Sequence, residues 1–142
     1  MSTITVSADI NAPLEYVWKL FIKPEHIIHW NAASDDWETT SATNDLRNGG
    51  RFSFHMAAKD KSFDFNFEGQ YDEVRPLRHI AYTLGDNRKV STTFFENKNV
   101  VTIVQSFDSE TSHSEEQQHS GWQAILNNFK KYVETQFQQK NA

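Results

Sequence analysis

The sequence predicts an α+β domain: a curved antiparallel sheet of six or seven strands wrapped around a long C-terminal helix, with two short helices after the first strand. Three observations predict it. Apolar and polar residues alternate in a series of short runs, the period of a half-buried strand. The turns between those runs are too short to hold crossover helices, so neighbouring strands run antiparallel. In HSGWQAILNNFKKYVETQF, residues 119–137, large aromatic and aliphatic side chains fall at steps of three or four, the period of one helix face.

The elements follow in order. Ile4, Val6, Ala8 and Ile10 alternate with Thr5, Ser7 and Asp9, a first strand with one buried face. Pro13 suits a helix start, where the missing N–H is not needed, and Leu14, Val17, Trp18 and Phe21 continue at helical spacing. Pro24 ends that run and opens a second short helix, PEHIIHW. From Asn31 to Asn48 the chain is polar and reads as irregular, with Trp37 its one aromatic residue. Asn48-Gly49-Gly50 is a tight turn leading into a strand.

Phe52, Phe54 and Met56 then alternate with Ser53 and His55, which places His55 outward. Phe63, Phe65, Phe67, Gly69 and Tyr71 form the next inward row, and Ile80, Tyr82 and Leu84 the one after. Residues 90–95 and 100–107 complete the meander; apolar residues on both faces of 100–104 leave the direction of Gln105 open. Ser112 with Glu115, or Ser114 with Gln117, fits the capping box of a final helix over about 114–138. Nothing in the pattern suggests a repeat, a linker or a second domain, so residues 1–142 are read as one domain.

Composition narrows the function. Of 142 residues, 37% are hydrophobic, 23% charged and 13% aromatic, including eleven Phe and four Trp, which is globular with an unusual aromatic load. There is no cysteine, which excludes disulfides, thiolate catalysis and Cys-ligated zinc and fits a reducing compartment. The net charge is −5 and the fourteen basic residues are scattered, without the basic stripe that phosphate contacts demand, so nucleic acid is not an expected partner. MSTITVSADI lacks the apolar centre of a secretory signal, and no window approaches the roughly 20 apolar residues of a membrane span. The expectation is a cytoplasmic protein with no membrane span.

The chemistry-bearing residues are sparse. His26 and His29 have the spacing of two metal ligands on a helix, but no third ligand accompanies them and they read as a surface pair. Asp35, Asp36 and Glu38 beside Trp37 read as solvated carboxylates, and His119 as a hydrogen-bonding residue near the helix start. No nucleophile elbow, phosphate loop or dinucleotide fingerprint is present. No catalytic residue, metal or cofactor is therefore assigned. Sheet and helix must cover each other's apolar faces, yet one helix about 10 Å across cannot fill a wide concave sheet. The inward aromatics could pack that space solid; Gly69 and Thr92 leave room. Gly121 inside the helix costs about 1 kcal/mol relative to Ala and suggests a close backbone approach.

Ala12-Pro13 with Val17-Trp18, Pro24 and Trp30, Gly49-Gly50-Arg51-Phe52, Gly69 with Tyr71, Val74 and Pro76, the strand Ile80 to Thr83, and Gly121-Trp122 with Leu126 occur in an order that covers nearly the whole chain. In this the sequence resembles the START-like (SRPBCC, helix-grip) superfamily, and within it the group homologous to the C-terminal domain of the activator of the heat-shock-protein-90 ATPase. The resemblance implies a sheet gripping the last helix around a cavity for a hydrophobic, aromatic, lipid- or polyketide-like small molecule. It also implies two alternatives: a cyclase or hydrolase working in that cavity, and a chaperone-linked interaction module. The chaperone activators carry an additional N-terminal domain that this sequence does not hold.

On this reading Trp30, Phe52, Phe54, Met56, Phe65 and Phe67 line the ligand site from helix and sheet. Tyr71, Tyr82, Trp122, Leu126 and Phe129 complete the lining, and the loop around Trp37 with the helix over 24–30 gates it. Arg51, Tyr71, Tyr82, Gln105 and Tyr132 are the candidates for the polar group that orients a ligand.

Overall fold

The computed structural model describes residues 2–141. Seven strands form one antiparallel sheet: β1 (Thr3–Ile10), β2 (Trp37–Asn44), β3 (Arg51–Ala58), β4 (Asp64–Arg75), β5 (His79–Leu84), β6 (Lys89–Asn97) and β7 (Val100–Asp108). Helices α1 (Leu14–Ile22) and α2 (Pro24–Trp30) lie between β1 and β2, and α3 (Glu115–Lys140) ends the chain. The strand order is β1-β7-β6-β5-β4-β3-β2, so the first strand returns beside the last and every other strand pairs with its neighbour in sequence.

The segment read as irregular contains a strand. The inward positions of β2 are Thr39, Ala42 and Asn44, with a register shift between Thr39 and Ser41, so it carries no row of large apolar residues. Hydrogen bonds hold it instead. The Thr39 hydroxyl donates to the Asn31 carbonyl at 2.6 Å, and Asn44 donates from Nδ2 to the Ile22 carbonyl at 2.7 Å. Both partners lie at the ends of the two short helices, so β2 is an edge strand fastened to the helical layer by polar side chains. Register also settles Gln105. It stands opposite Thr92 and Val6 and shares the inward row of Val101, Ile103 and Phe107.

Helix α3 is 26 residues long and starts with the second of the two capping boxes: the Ser114 hydroxyl accepts from the Gln117 N–H while the Gln117 side chain accepts from the Ser114 N–H. It lies along β1. Gln123 Nε2 donates to the Ser7 carbonyl at 2.9 Å, Lys130 Nζ to the Asp9 carbonyl at 2.6 Å, and the Asn11 N–H donates to Glu134 at 2.9 Å. Its buried face holds Leu126, Phe129 and Val133, and the Trp122 ring stacks on Phe107 with centroids 4.0 Å apart. Phe129 is fully enclosed and meets Trp30 and Phe21 edge to face, at 4.7 and 5.2 Å. That is the geometry in which ring edges and faces attract.

Two glycines behave differently from the expectation. A Cβ on Gly121 would meet nothing within 4 Å, so no close approach accounts for it. A Cβ on Gly69 would lie 2.7 Å from the Thr83 carbonyl and 3.1 Å from the Phe52 ring: the space it leaves is taken by Phe52 rather than left open. Thr92 is likewise packed, at 1% exposure, and leaves no room. Gly121→Ala should therefore stabilise the protein by about 1 kcal/mol through helix propensity. Gly69→Ala should destabilise it by about 1–3 kcal/mol through overpacking. Urea unfolding midpoints of the two variants against wild type check the opposite signs.

Candidate functional site

The concave face of the sheet is not filled. A cavity of about 310 Å³ lies between β3, β4 and β5, the helix α2 and the N-terminal half of α3. Its sheet wall is aromatic. Phe52 sits at the centre of that wall, with ring centroids 5.1 Å from Phe54, 5.2 Å from Tyr71 and 4.8 Å from Tyr82. Phe67 reaches across to Trp122 on α3 at 6.0 Å, and Ile125 and Leu126 continue the helical wall. Ile27 and Trp30 of α2 and Phe21 and Ile22 of α1 close one side, while Met56 and Phe65 line the end nearest the β3–β4 turn. Phe65 is 39% exposed, so it marks the rim rather than the floor.

Several residues singled out in the sequence stand outside the cavity. Phe129 belongs to the packed core against Trp30 and Phe21. Trp37 begins β2 instead of lying on a loop, and packs at 6.2 and 6.0 Å from Phe63 and Phe65 outside the lining. Phe63 precedes β4 and is 59% exposed, because the β3–β4 turn projects past the cover of the helices. Arg51 is exposed at the start of β3 and His119 is exposed on α3. Tyr132 also lies outside the lining: its hydroxyl meets His26 Nδ1 at 2.8 Å and its ring stacks on His29. The H-x-x-H pair thus ties α2 to α3. Among the described residues no cluster of His, Asp and Glu could hold a metal ion. No helix among those residues is long and apolar enough to cross a membrane.

Most polar atoms in the wall are already engaged. Trp30 Nε1 donates to the Leu20 carbonyl at 2.9 Å, and the Tyr71 hydroxyl donates to Asn44 Oδ1 at 2.5 Å. Burial pushes the Tyr71 hydroxyl far above the usual phenol range, partly offset by the Asn44 hydrogen bond. Gln105 Nε2 donates to Thr92 Oγ1 at 2.9 Å.

Sequence reasoning missed the opposite pole of the cavity. There the turn before β6 supplies Arg88, the segment after β7 supplies Glu110 and His113, and α3 supplies Gln118. Arg88 Nε donates to Asp86 at 2.7 Å, and Gln118 Nε2 donates to the carbonyls of Glu110 and His113 at 3.0 and 2.9 Å. Burial works to raise the Asp86 carboxyl, but hydrogen bonds from Arg88 and its charge outweigh that and hold it below the usual range. Glu110 is held low in the same way, with hydrogen bonds from His113 and the charges of His113 and Arg88 overcoming desolvation. No periodicity announces these residues, since turns far apart in sequence meet only once the sheet has curled.

The sequence profile of the family described as "Activator of Hsp90 ATPase homolog 1-like protein" matches residues 11–134. The chain belongs to this family. Among solved structures it is similar to the AHSA1-like protein from Aeromonas hydrophila, with 42% identity over 94% of this chain and 93% of that one and a TM-score of 0.88. A protein from Cytophaga hutchinsonii is similar at 46% identity over 96% and 94% of the two chains, with a TM-score of 0.82. A protein from Nitrosomonas europaea shares the fold at 16% identity, covering 94% and 95% of the two chains with a TM-score of 0.82. No curated protein matches the chain. The family's fold is the helix grip, a curled sheet around a long C-terminal helix, as seen here.

The split between core and cavity can be measured. Phe129→Ala should cost roughly 3–5 kcal/mol, the range for an enclosed phenylalanine. Phe54→Ala, whose half-buried ring already borders a void, should cost distinctly less, on the order of 1–2 kcal/mol. Denaturant melts of the two variants give the comparison.

Proposed function

We propose that the protein is a binder of a hydrophobic, aromatic small molecule, lipid- or polyketide-like in character, held between the sheet and α3. The observation that carries this reading is the aromatic cavity of about 310 Å³ inside the grip, which is of the size that drug-sized ligands occupy. Phe52, Phe54, Phe67, Tyr82 and Trp122 would face the ligand, and burial of apolar area at about 25 cal/mol per Å² would drive binding before the costs of association. The wall is largely free of unengaged acids and bases, which favours holding over turnover. Entry would pass the rim at Phe65, where the lining reaches the surface. A chain without cysteine suits the reducing cytoplasm, where we place it.

The test uses N-phenylnaphthylamine, a neutral aromatic dye whose fluorescence rises in apolar surroundings. Wild type should bind it saturably and gain melting temperature with dye concentration, as a ligand of the native state must cause. Phe54→Trp adds bulk beside the void and should weaken dye binding about tenfold or more while melting cooperatively. Unchanged affinity in that variant, or the absence of saturable binding by wild type, would remove the cavity from consideration as the site.

A further inference from the structure

One hydroxyl in the cavity has no assigned task. Tyr82 lies on the inward row of β5, deep in the molecule, yet keeps accessible surface because the cavity reaches it. Tyr71 beside it is engaged by Asn44, but the Tyr82 hydroxyl has no hydrogen-bond partner among the described residues. No fully enclosed side-chain polar atom among those residues is left unpaired, so the Tyr82 oxygen must open onto the void itself. An unpaired hydroxyl in an apolar wall is costly unless water or a ligand completes it.

We infer that Tyr82, with Arg88 beside it, is the polar anchor of the cavity, and that it selects a ligand carrying one neutral acceptor oxygen, a ketone or similar carbonyl, on an aromatic skeleton. This rests on the proposed small-molecule binding and names its chemical class. Three observations support it. Burial and the neighbouring Tyr71 hold the Tyr82 phenol protonated far above neutral pH, with the Arg88 charge pulling only weakly the other way, so the group is available as a donor. Arg88 offers only donors, and its Nε alone is committed, to Asp86. Two carboxylates, Asp86 and Glu110, both held ionised, offset the Arg88 guanidinium and the His113 imidazole that pairs with Glu110. That pole therefore presents donors without net positive charge: it suits a carbonyl oxygen and disfavours a carboxylate.

The test compares three probes of one skeleton by isothermal titration calorimetry on the full chain: diphenylmethane, benzophenone and diphenylacetate. Wild type should bind benzophenone about twofold to tenfold more tightly than diphenylmethane, the span of one net hydrogen bond. It should bind diphenylacetate least well. In Tyr82→Phe the ketone-to-hydrocarbon ratio should fall to near one. The wild-type ratio stands as a test even if that variant folds poorly. Equal binding of ketone and hydrocarbon by wild type, a preference that survives Tyr82→Phe, or tightest binding of the carboxylate would overturn the anchor while leaving the cavity as a binding site. If none of the three probes binds, the small-molecule reading falls and the anchor with it.

Discussion

The arrangement depends on how α3 is fastened to the free edge of β1. An edge strand presents unpaired backbone groups at every second residue, and something must cover them. Here the helix does so with its own side chains: Gln123 at Ser7, Lys130 at Asp9 and Glu134 at Asn11. Two residues separate successive anchor points on the strand, and four or seven separate them on the helix, so the two elements are held side by side along their length. A helix pinned to one edge cannot also lie over the other. Seven strands at about 4.8 Å spacing would span roughly 29 Å if flat, against about 10 Å for the helix. Curling narrows the gap without closing it. The uncovered remainder, over β3, β4 and β5, is where the cavity lies.

The division of the interior follows from that placement. Under the middle of α3 the two short helices add Phe21 and Trp30, and with Phe129 they make a dense aromatic core. Toward the start of α3 there is no such second layer, and the same residue types line a void instead. Phe52 is the hinge between the two regimes. It lies in the space left by Gly69, which draws its ring down onto the sheet, so that it lines the cavity without filling it. The polar atoms of the wall obey a parallel logic: those of Trp30, Tyr71 and Asn44 are used to fasten α1, α2, β2 and β4 together, so they stabilise the shell and leave an apolar surface inside.

Much of this was legible in the sequence, because period-two and period-3.6 patterns come directly from which side chains must be buried. The inward rows through Phe52, Phe67 and Tyr82, the two proline-started helices and the stripe from Trp122 to Val133 all follow from it. β2 was not legible because its inward residues are Thr39, Ala42 and Asn44, and hydrogen bonding rather than apolar burial holds it in place. Phe129 and Trp122 looked alike on the helix stripe, yet one meets a packed layer and the other borders the void; periodicity reports burial, not what lies opposite. Phe63 continued the strand alternation by one step more than the helices could cover. The Arg88, Glu110 and Gln118 pole was invisible because its members come from two turns and a helix start that meet only in the folded chain.

A cup closed by a rod is specified by coarse constraints: strand alternation, short turns, and one long helix with an apolar stripe. Many sequences can satisfy them, which is why the fold reappears where few residues are shared. Ligand choice cannot reside in those constraints, since they fix only that a hollow exists. It must reside in the few wall positions where a side chain's polar atom is left free after the shell has been fastened together. In this chain the fastening engages Trp30 and Tyr71 and leaves the Tyr82 hydroxyl facing the void, with the charge of Arg88 near enough to act on it. On the proposed reading, the chemistry of an occupant would be set less by the aromatic wall, which would accept many apolar skeletons, than by what can complete that one oxygen.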